Sequence, residues 1–488
     1  MLGAAFADES TSVSGHVSTP PLSSDRMMAD ITRLAGLEFN GRQTGSIDDL
    51  RSANWVAERF RALGLKPGAP NPLHAGVSQP WMMSTGVVVS TLAPTATLAL
   101  TTGTTVMPLQ VGTDFVPFVD SPSIDLTAPV TFVGYGIADA SRAYDDYHDI
   151  DVTGHIVLVL RGKPHWYKGI ASHQSKADLA HQHGAVAILT VTGPLLTAYE
   201  ARRGVGRAPL AYFSQPGHDE SASDSLPGAW LGQTAADQIL GDTTGESTTL
   251  ATNQDSLNRE SIPRSRTSRI KARLQWEQRR THGTLYNVVG YLEGSDPALR
   301  EEIVVIGAHR DHFGRQAGLL FPGADDNASG TAVILEVARA LISPDRKPKR
   351  SVLFVSFSGE EQGLLGSTDF VARLPRPPAR VTAMINIDHA GVGNGRLTVG
   401  VTGLEQSVVQ EAAARADIAP LTDVYGFFPG GDHVPFKEAG VPTVTVVSGG
   451  AHPHYHQPTD TPDTIQPDVL ATVAHFVLSL AERLAKGP

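Results

Sequence analysis

The chain has 488 residues, 41% hydrophobic and 18% charged, and its 39 Lys and Arg against 50 Asp and Glu leave a formal charge of -11. A chain of that length outgrows one ordinary core and predicts two or three folding units, while the acidic balance, with no concentrated run of Lys and Arg, excludes a nucleic-acid surface. No window approaches the roughly 18 apolar residues of a membrane-spanning helix, and the lack of any cysteine excludes disulfides, thiolate metal sites and a cysteine nucleophile, so a metal would have to sit on His, Asp and Glu.

In chain order, the start from Met1 to Ala7 ends in a small-x-small pattern (Ala5, Ala7) before Asp8. It reads as the tail of a secretory signal and carries the expectation of a secreted or periplasmic protein. Residues 46–63 predict an amphipathic helix, with Ser46 as N-cap and Leu50, Ala53, Val56, Ala57, Phe60 and Leu63 at helical spacing. Gly64 and Pro67 stop it. The texture then turns to short β-type runs such as Gly86-Val-Val-Val-Ser90, Thr97-Leu-Ala-Leu-Thr101 and Val130-Thr-Phe-Val133, cut by turn residues. A strand over 156–160, a helix near 175–183 and a strand over 185–189 continue this insert, and the polar stretch 241–268 reads as a loop-rich exit. The expected divisions are an N-terminal segment over 1–84, a β-rich insert over 85–278 and an α/β layered domain over 279–488.

In that last domain four β-branched runs have the length of buried strands: Ile303-Val-Val-Ile306, Val352-Leu-Phe-Val355, Ala383-Met-Ile-Asn-Ile387 and Thr443-Val-Thr-Val-Val447. Potential ligands follow each one: His309 and Asp311, then Glu360 and Glu361, then Asp388, then a His-rich segment containing His456. Ligands bind beyond the carboxyl ends of strands in open α/β sheets, so these groups can converge although they are distant in sequence. Between the first two strands, Asp325 is expected at the N-terminus of a helix over 331–341, with Asp326 or Asn327 as its cap. Imidazole and carboxylate are what zinc takes without thiolates, and a carboxylate can bridge two ions. Asp311 lies two residues from His309 and could accept that ring's second N–H. Of the adjacent glutamates, one can bind metal while the other takes a proton from water.

These residues lie in motifs that resemble, in order, those of the co-catalytic zinc aminopeptidases related to glutamate carboxypeptidase. The motifs are Gly307-Ala-His-Arg-Asp-His312, Pro322-Gly-Ala-Asp-Asp-Asn-Ala-Ser-Gly330, Ser358-Gly-Glu-Glu-Gln-Gly363, Asn386-Ile-Asp388 and Tyr455-His-Gln-Pro-Thr-Asp-Thr461. The resemblance implies a three-layer α/β/α zinc-peptidase domain with a mixed, mostly parallel sheet, and an insert that looks like a protease-associated domain. It implies two zinc ions bridged by Asp325, with His309 and Asp388 completing one site and Glu361 and His456 the other. It makes Glu360 the general base, Asp311 the partner of His309, and peptides with a free N-terminus the substrates. Arg310, His389 and Gly431 depart from the family's usual residues and are expected to line the pocket. His454 is the alternative to His456 as ligand. His312, His389 and His433 read as pocket walls or hydrogen-bonded structural groups.

No Gly-x-Ser-x-Gly elbow, phosphate loop or His-Glu-x-x-His is present. The rival functions on the same metals are a carboxypeptidase, which would need Arg310 or Arg315 to grip a C-terminal carboxylate, and a glutaminyl cyclase-like acyltransferase. A receptor-like member that has lost its ligands is the third, and here the whole set is present.

Overall fold

The computed structural model describes residues 22–68, 80–197, 206–215, 225–243, 248–374 and 380–487. The start at 1–7, on which the expectation of export rests, lies outside the described residues. Among them, no helix is long and apolar enough to cross a membrane.

The four apolar runs become the strands Ile303–His309, Ser351–Phe357, Val381–Ile387 and Thr443–Ser448, all mutually parallel where they pair. Their side chains are buried on both faces, which is why the sequence shows continuous β-branched runs rather than alternation. Gln278–Leu292 pairs antiparallel at one side of this group, and Leu397–Thr402 runs antiparallel to Thr443–Ser448 at the other, giving the expected mixed sheet, parallel through its centre. One face is covered by helices Ser24–Leu34, Ile47–Ala62, Ser329–Leu341, Gln406–Arg415 and Pro467–Ala485, whose apolar stripes form the largest core. The other face packs Phe370 of helix Leu365–Arg373 and Phe436 of helix His433–Glu438 against Phe357. Helix Ile47–Ala62 forms with Ser46 as its cap, accepting from the amides of Asp48 and Asp49.

A second, eight-stranded sheet is built from residues between these elements. Strands Met82–Leu92 and Gln278–Leu292 pair antiparallel over their full overlap, so the chain leaves and re-enters the first sheet side by side. The expected loop-rich exit at 241–268 is corrected: it contains helix Leu250–Arg259, capped by Thr249, and the start of strand Arg266–Trp276. Its buried face is Leu250, Asn253, Gln254 and Leu257, a helical spacing in which two of the four inward residues are polar.

Candidate metal centre

The first group arrives at the end of strand Ile303–His309, where alternation puts His309 and Asp311 on one side and Arg310 on the other. His309 Nδ1 lies 3.2 Å from the main-chain oxygen of Asp311 and 3.6 Å from its carboxylate. The ring therefore presents Nε2 to the cavity. The Asp311 carboxylate itself accepts from the Thr44 hydroxyl at 2.7 Å and from the amides of Glu360 and Glu361 at 3.3 and 3.4 Å. It thus orients both glutamates as well as the imidazole. Those glutamates follow strand Ser351–Phe357 through Gly359, whose φ of +82° turns the chain in a region that disfavours a side chain.

The bridging position is a correction. Asp325 was expected there, but its carboxylate turns to another cluster, accepting from the Gly391 amide at 2.8 Å and facing His452 Nδ1 at 2.6 Å and His389 Nδ1 at 3.4 Å. Asp326 faces the cavity instead. One of its oxygens is 3.3 Å from His309 Nε2 and the other 3.1 Å from His456 Nε2. The physical reason lies in the loop backbone: the amides of Asp325 and Asp326 both donate to the Asp460 carboxylate, at 2.9 and 3.0 Å, and Asp326 has non-helical φ and ψ of -109° and 92°. The N-cap of helix Ser329–Leu341 is Ala328, and the Asn327 side chain just before it accepts from the Gly330 amide at 2.8 Å.

The rest of the predicted set converges here. Asp388, just past strand Val381–Ile387, has Oδ1 3.4 Å from His309 Nε2, and Glu361 Oε2 is 3.1 Å from His456 Nε2. Glu360 stands further back, 3.9 Å from His309. His309 Nε2, Asp326 Oδ2 and Asp388 Oδ1 are buried and make no hydrogen bond. Atoms about 2.0–2.2 Å from a tetrahedral metal lie roughly 3.4 Å apart, which matches the 3.1–3.4 Å separations within the two groups. The residues fit small divalent cations.

The electrostatics point the same way. At His309 and His456 burial opposes the charged form, and the crowding of acids outweighs it. His309 is held well above its ordinary range by Glu360, Asp311, Asp326 and Asp388, and His456 is raised to about 10 by Glu361 and Asp326. Burial, reinforced by Glu361, Asp388 and Asp432, pushes Glu360 well above the usual carboxylate range despite the opposing influence of His309. A cavity with this negative excess attracts cations.

The remaining histidines separate by partner. His454 is bonded to the Thr459 hydroxyl at 2.8 Å on an exposed loop and does not join the cavity. His312 Nδ1 contacts Glu361 Oε1 at 2.6 Å, and His433 Nε2 donates to the Phe428 carbonyl at 2.9 Å, both as expected of hydrogen-bonded structural groups. His389 does line the cavity, with Nε2 3.7 Å from Asp388 and 3.8 Å from Asp326. Arg310 does not, and that expectation is corrected: it is fully buried on the opposite side, donating to Asp49, to Ser52 Oγ at 3.1 Å and to the Ser356 carbonyl at 3.0 Å. Reading the sequence assigned no role to Thr44, Asp432, Asp460 or His452. Asp460 stands inside the motif Tyr455-His-Gln-Pro-Thr-Asp-Thr461, the one available signal, whereas nothing near Thr44 marks it.

Residues 287–481 match the sequence profile of Peptidase family M28. A probable leucine aminopeptidase of Arthroderma otae is 32% identical over 199 residues, covering 39% of this chain and 56% of that protein. The chain thus spans about half the length of the curated relatives it matches. Among solved structures, an aminopeptidase from Aneurinibacillus sp. strain AM-1 superposes with a TM-score of 0.65 at 23% identity, covering 96% of this chain and 95% of that one. A zinc aminopeptidase from Bacillus subtilis superposes with a TM-score of 0.61 at 21% identity, covering 96% of each chain. The segment that matches Peptidase family M28 carries all five motifs and every group of the cavity described above except Thr44.

Proposed function

We propose that the chain is a zinc aminopeptidase that removes residues from the free amino end of peptides, with His309, Asp326, Asp388, Glu361 and His456 holding two zinc ions. The observation that carries the reading is Asp326, whose two oxygens each face a different imidazole while His309 Nε2, Asp326 Oδ2 and Asp388 Oδ1 have no hydrogen-bond partner. The names of the relatives and of the Bacillus subtilis neighbour support zinc and aminopeptidase activity.

Zinc ions bound there would polarise the scissile carbonyl and ease deprotonation of a water. Glu360 is the proton carrier: set back from the ligand groups and raised by burial and by its acidic neighbours, it accepts a proton from water and delivers it to the departing amine. The water oxygen bonds to the carbonyl carbon, the C–N bond breaks, and the proton leaves with the amine. Asp311 holds the backbone of both glutamates so that Glu361 faces His456 while Glu360 stays free.

The carboxypeptidase rival loses its support because Arg310 is committed to Asp49 and Arg315 donates to Asn40 at 2.7 Å. The reading includes residues 85–278 as a protease-associated-like insert and export of the protein to the periplasm or medium. Metal content of the purified chain, combined with hydrolysis of aminoacyl fluorogenic substrates, tests it. Two zinc ions per chain and cleavage only of peptides with a free amine are expected. Equal cleavage of N-acetylated peptides, or ring closure of an N-terminal glutamine without hydrolysis, would overturn the aminopeptidase assignment.

A further inference from the structure

The eight-stranded unit reaches the metal centre through residues 206–215. Ala211 there exchanges two hydrogen bonds with His456, 245 residues away: its amide donates to the His456 carbonyl and its carbonyl accepts from His456 Nδ1, each at 3.0 Å. With Nδ1–H committed to that carbonyl, the imidazole has only Nε2 to offer to Asp326 and Glu361. The ring is stacked on Tyr455 at 3.7 Å and meets Phe313 edge-on at 4.7 Å, and Phe213 stacks on Phe313 at 5.9 Å from the same segment that carries Ala211.

What holds this segment in place is Asp120. Its two carboxylate oxygens accept from the amides of Ser214 and Gln215, both at 2.7 Å, and the neighbouring Val119 amide donates to the Tyr212 carbonyl at 2.9 Å. Asp120 is buried and lies just beyond strand Phe115–Pro117 at the end of the second sheet. A carboxylate that accepts two backbone amides at this distance pins both, since each charge-assisted bond is about twice as strong as a neutral one.

We propose that Asp120 is a positioning residue for the metal centre. By gripping Ser214 and Gln215 it keeps the Ala211 carbonyl against His456, so that the second unit sets the affinity of one of the two metal positions. The proposal rests on the metal-centre reading above and adds to it a dependence on a part of the chain outside the matched family segment. Loss of the group that orients a ligating imidazole weakens metal binding by about 10- to 100-fold.

The test is zinc titration of the full chain against a chromophoric chelator, for the wild type, Asp120→Ala, Asp120→Asn and Phe213→Leu. In Asp120→Ala one ion is expected to bind about 10- to 100-fold more weakly while the other keeps its wild-type affinity. Asp120→Asn, which retains one accepting oxygen, is expected to fall between, and Phe213→Leu loosens the same segment without removing a charge. Should Asp120→Ala fail to fold, Phe213→Leu decides by the same selective loss. Unchanged affinity at both positions, or an equal loss at both, would overturn the proposal. A wild-type chain that binds no zinc would instead sink the metal-centre reading itself.

Discussion

Asp325 and Asp326 are adjacent and both buried, and His389 lies beside both, yet their carboxylates turn into two differently satisfied surroundings, Asp325 to His452 and Asp326 to His309 and His456. Around Asp325 the acceptors are used: the Gly391 amide and His452 Nδ1 bond to its carboxylate, and the other nitrogen of His452 lies 3.0 Å from the Ser448 carbonyl. Around Asp326, three buried polar atoms of three different residues make no hydrogen bond. Each such atom costs about 1–3 kcal/mol unless something outside the chain pairs with it. The comparison teaches that in a buried acid–imidazole cluster the unsatisfied member is the ligand candidate and the satisfied one is scaffold.

The comparison breaks most visibly with Asp326→Ala. We expect loss of bound zinc and a fall in kcat/KM of about a thousandfold or more, since the metals supply several kcal/mol of transition-state stabilisation. Asp325→Asn, measured alongside by elemental analysis, should keep both ions; the reverse pattern would exchange the two roles. Next, Glu360→Gln should retain the wild-type metal content while kcat falls by about 10²–10⁴, the usual contribution of a general acid–base group. Full activity in that variant would remove Glu360 as the proton carrier.

A satisfied pair should reveal itself in stability instead. Arg310→Met strands the buried Asp49 carboxylate, which burial already pushes up to about 6 against the pull of Arg310. Denaturant melts should show a loss of about 3–5 kcal/mol, the range for removing one partner of a buried ion pair. Residual variant that folds should still bind zinc, because the guanidinium faces away from the cavity. The smallest effect is expected at His454, half-buried and bonded locally to Thr459. His454→Ala should change neither metal stoichiometry nor stability by more than about 0.5 kcal/mol.

Several of these residues also show where reading the sequence succeeded and where it failed. The parallel strands were legible because burial on both faces selects unbroken β-branched runs, and His309, Glu360, Glu361, Asp388 and His456 were legible because each follows such a run. Arg310 was misread as a pocket residue, although the two-residue alternation of extended backbone already sets it opposite His309 and Asp311. Helix Leu250–Arg259 was missed because its inward face spends two of four positions on Asn253 and Gln254, which flattens the hydrophobic period. Ala211 carried no signal at all, since its contribution is a backbone carbonyl that any residue type possesses.

From its order of residues alone this protein announces a layered α/β unit, an acid and imidazole set at the ends of its strands, and a resemblance to a family. Those depend on local pattern and on motif identity, which survive without knowledge of contacts. Which of two neighbouring aspartates turns its carboxylate to His309 and His456, whether an arginine enters the cavity, and which distant carbonyl orients His456 were decided only by the folded chain. Each of these is a matter of side-chain direction over a turn, set by bonds such as those from the Asp325 and Asp326 amides to Asp460, whose partners lie more than a hundred residues apart.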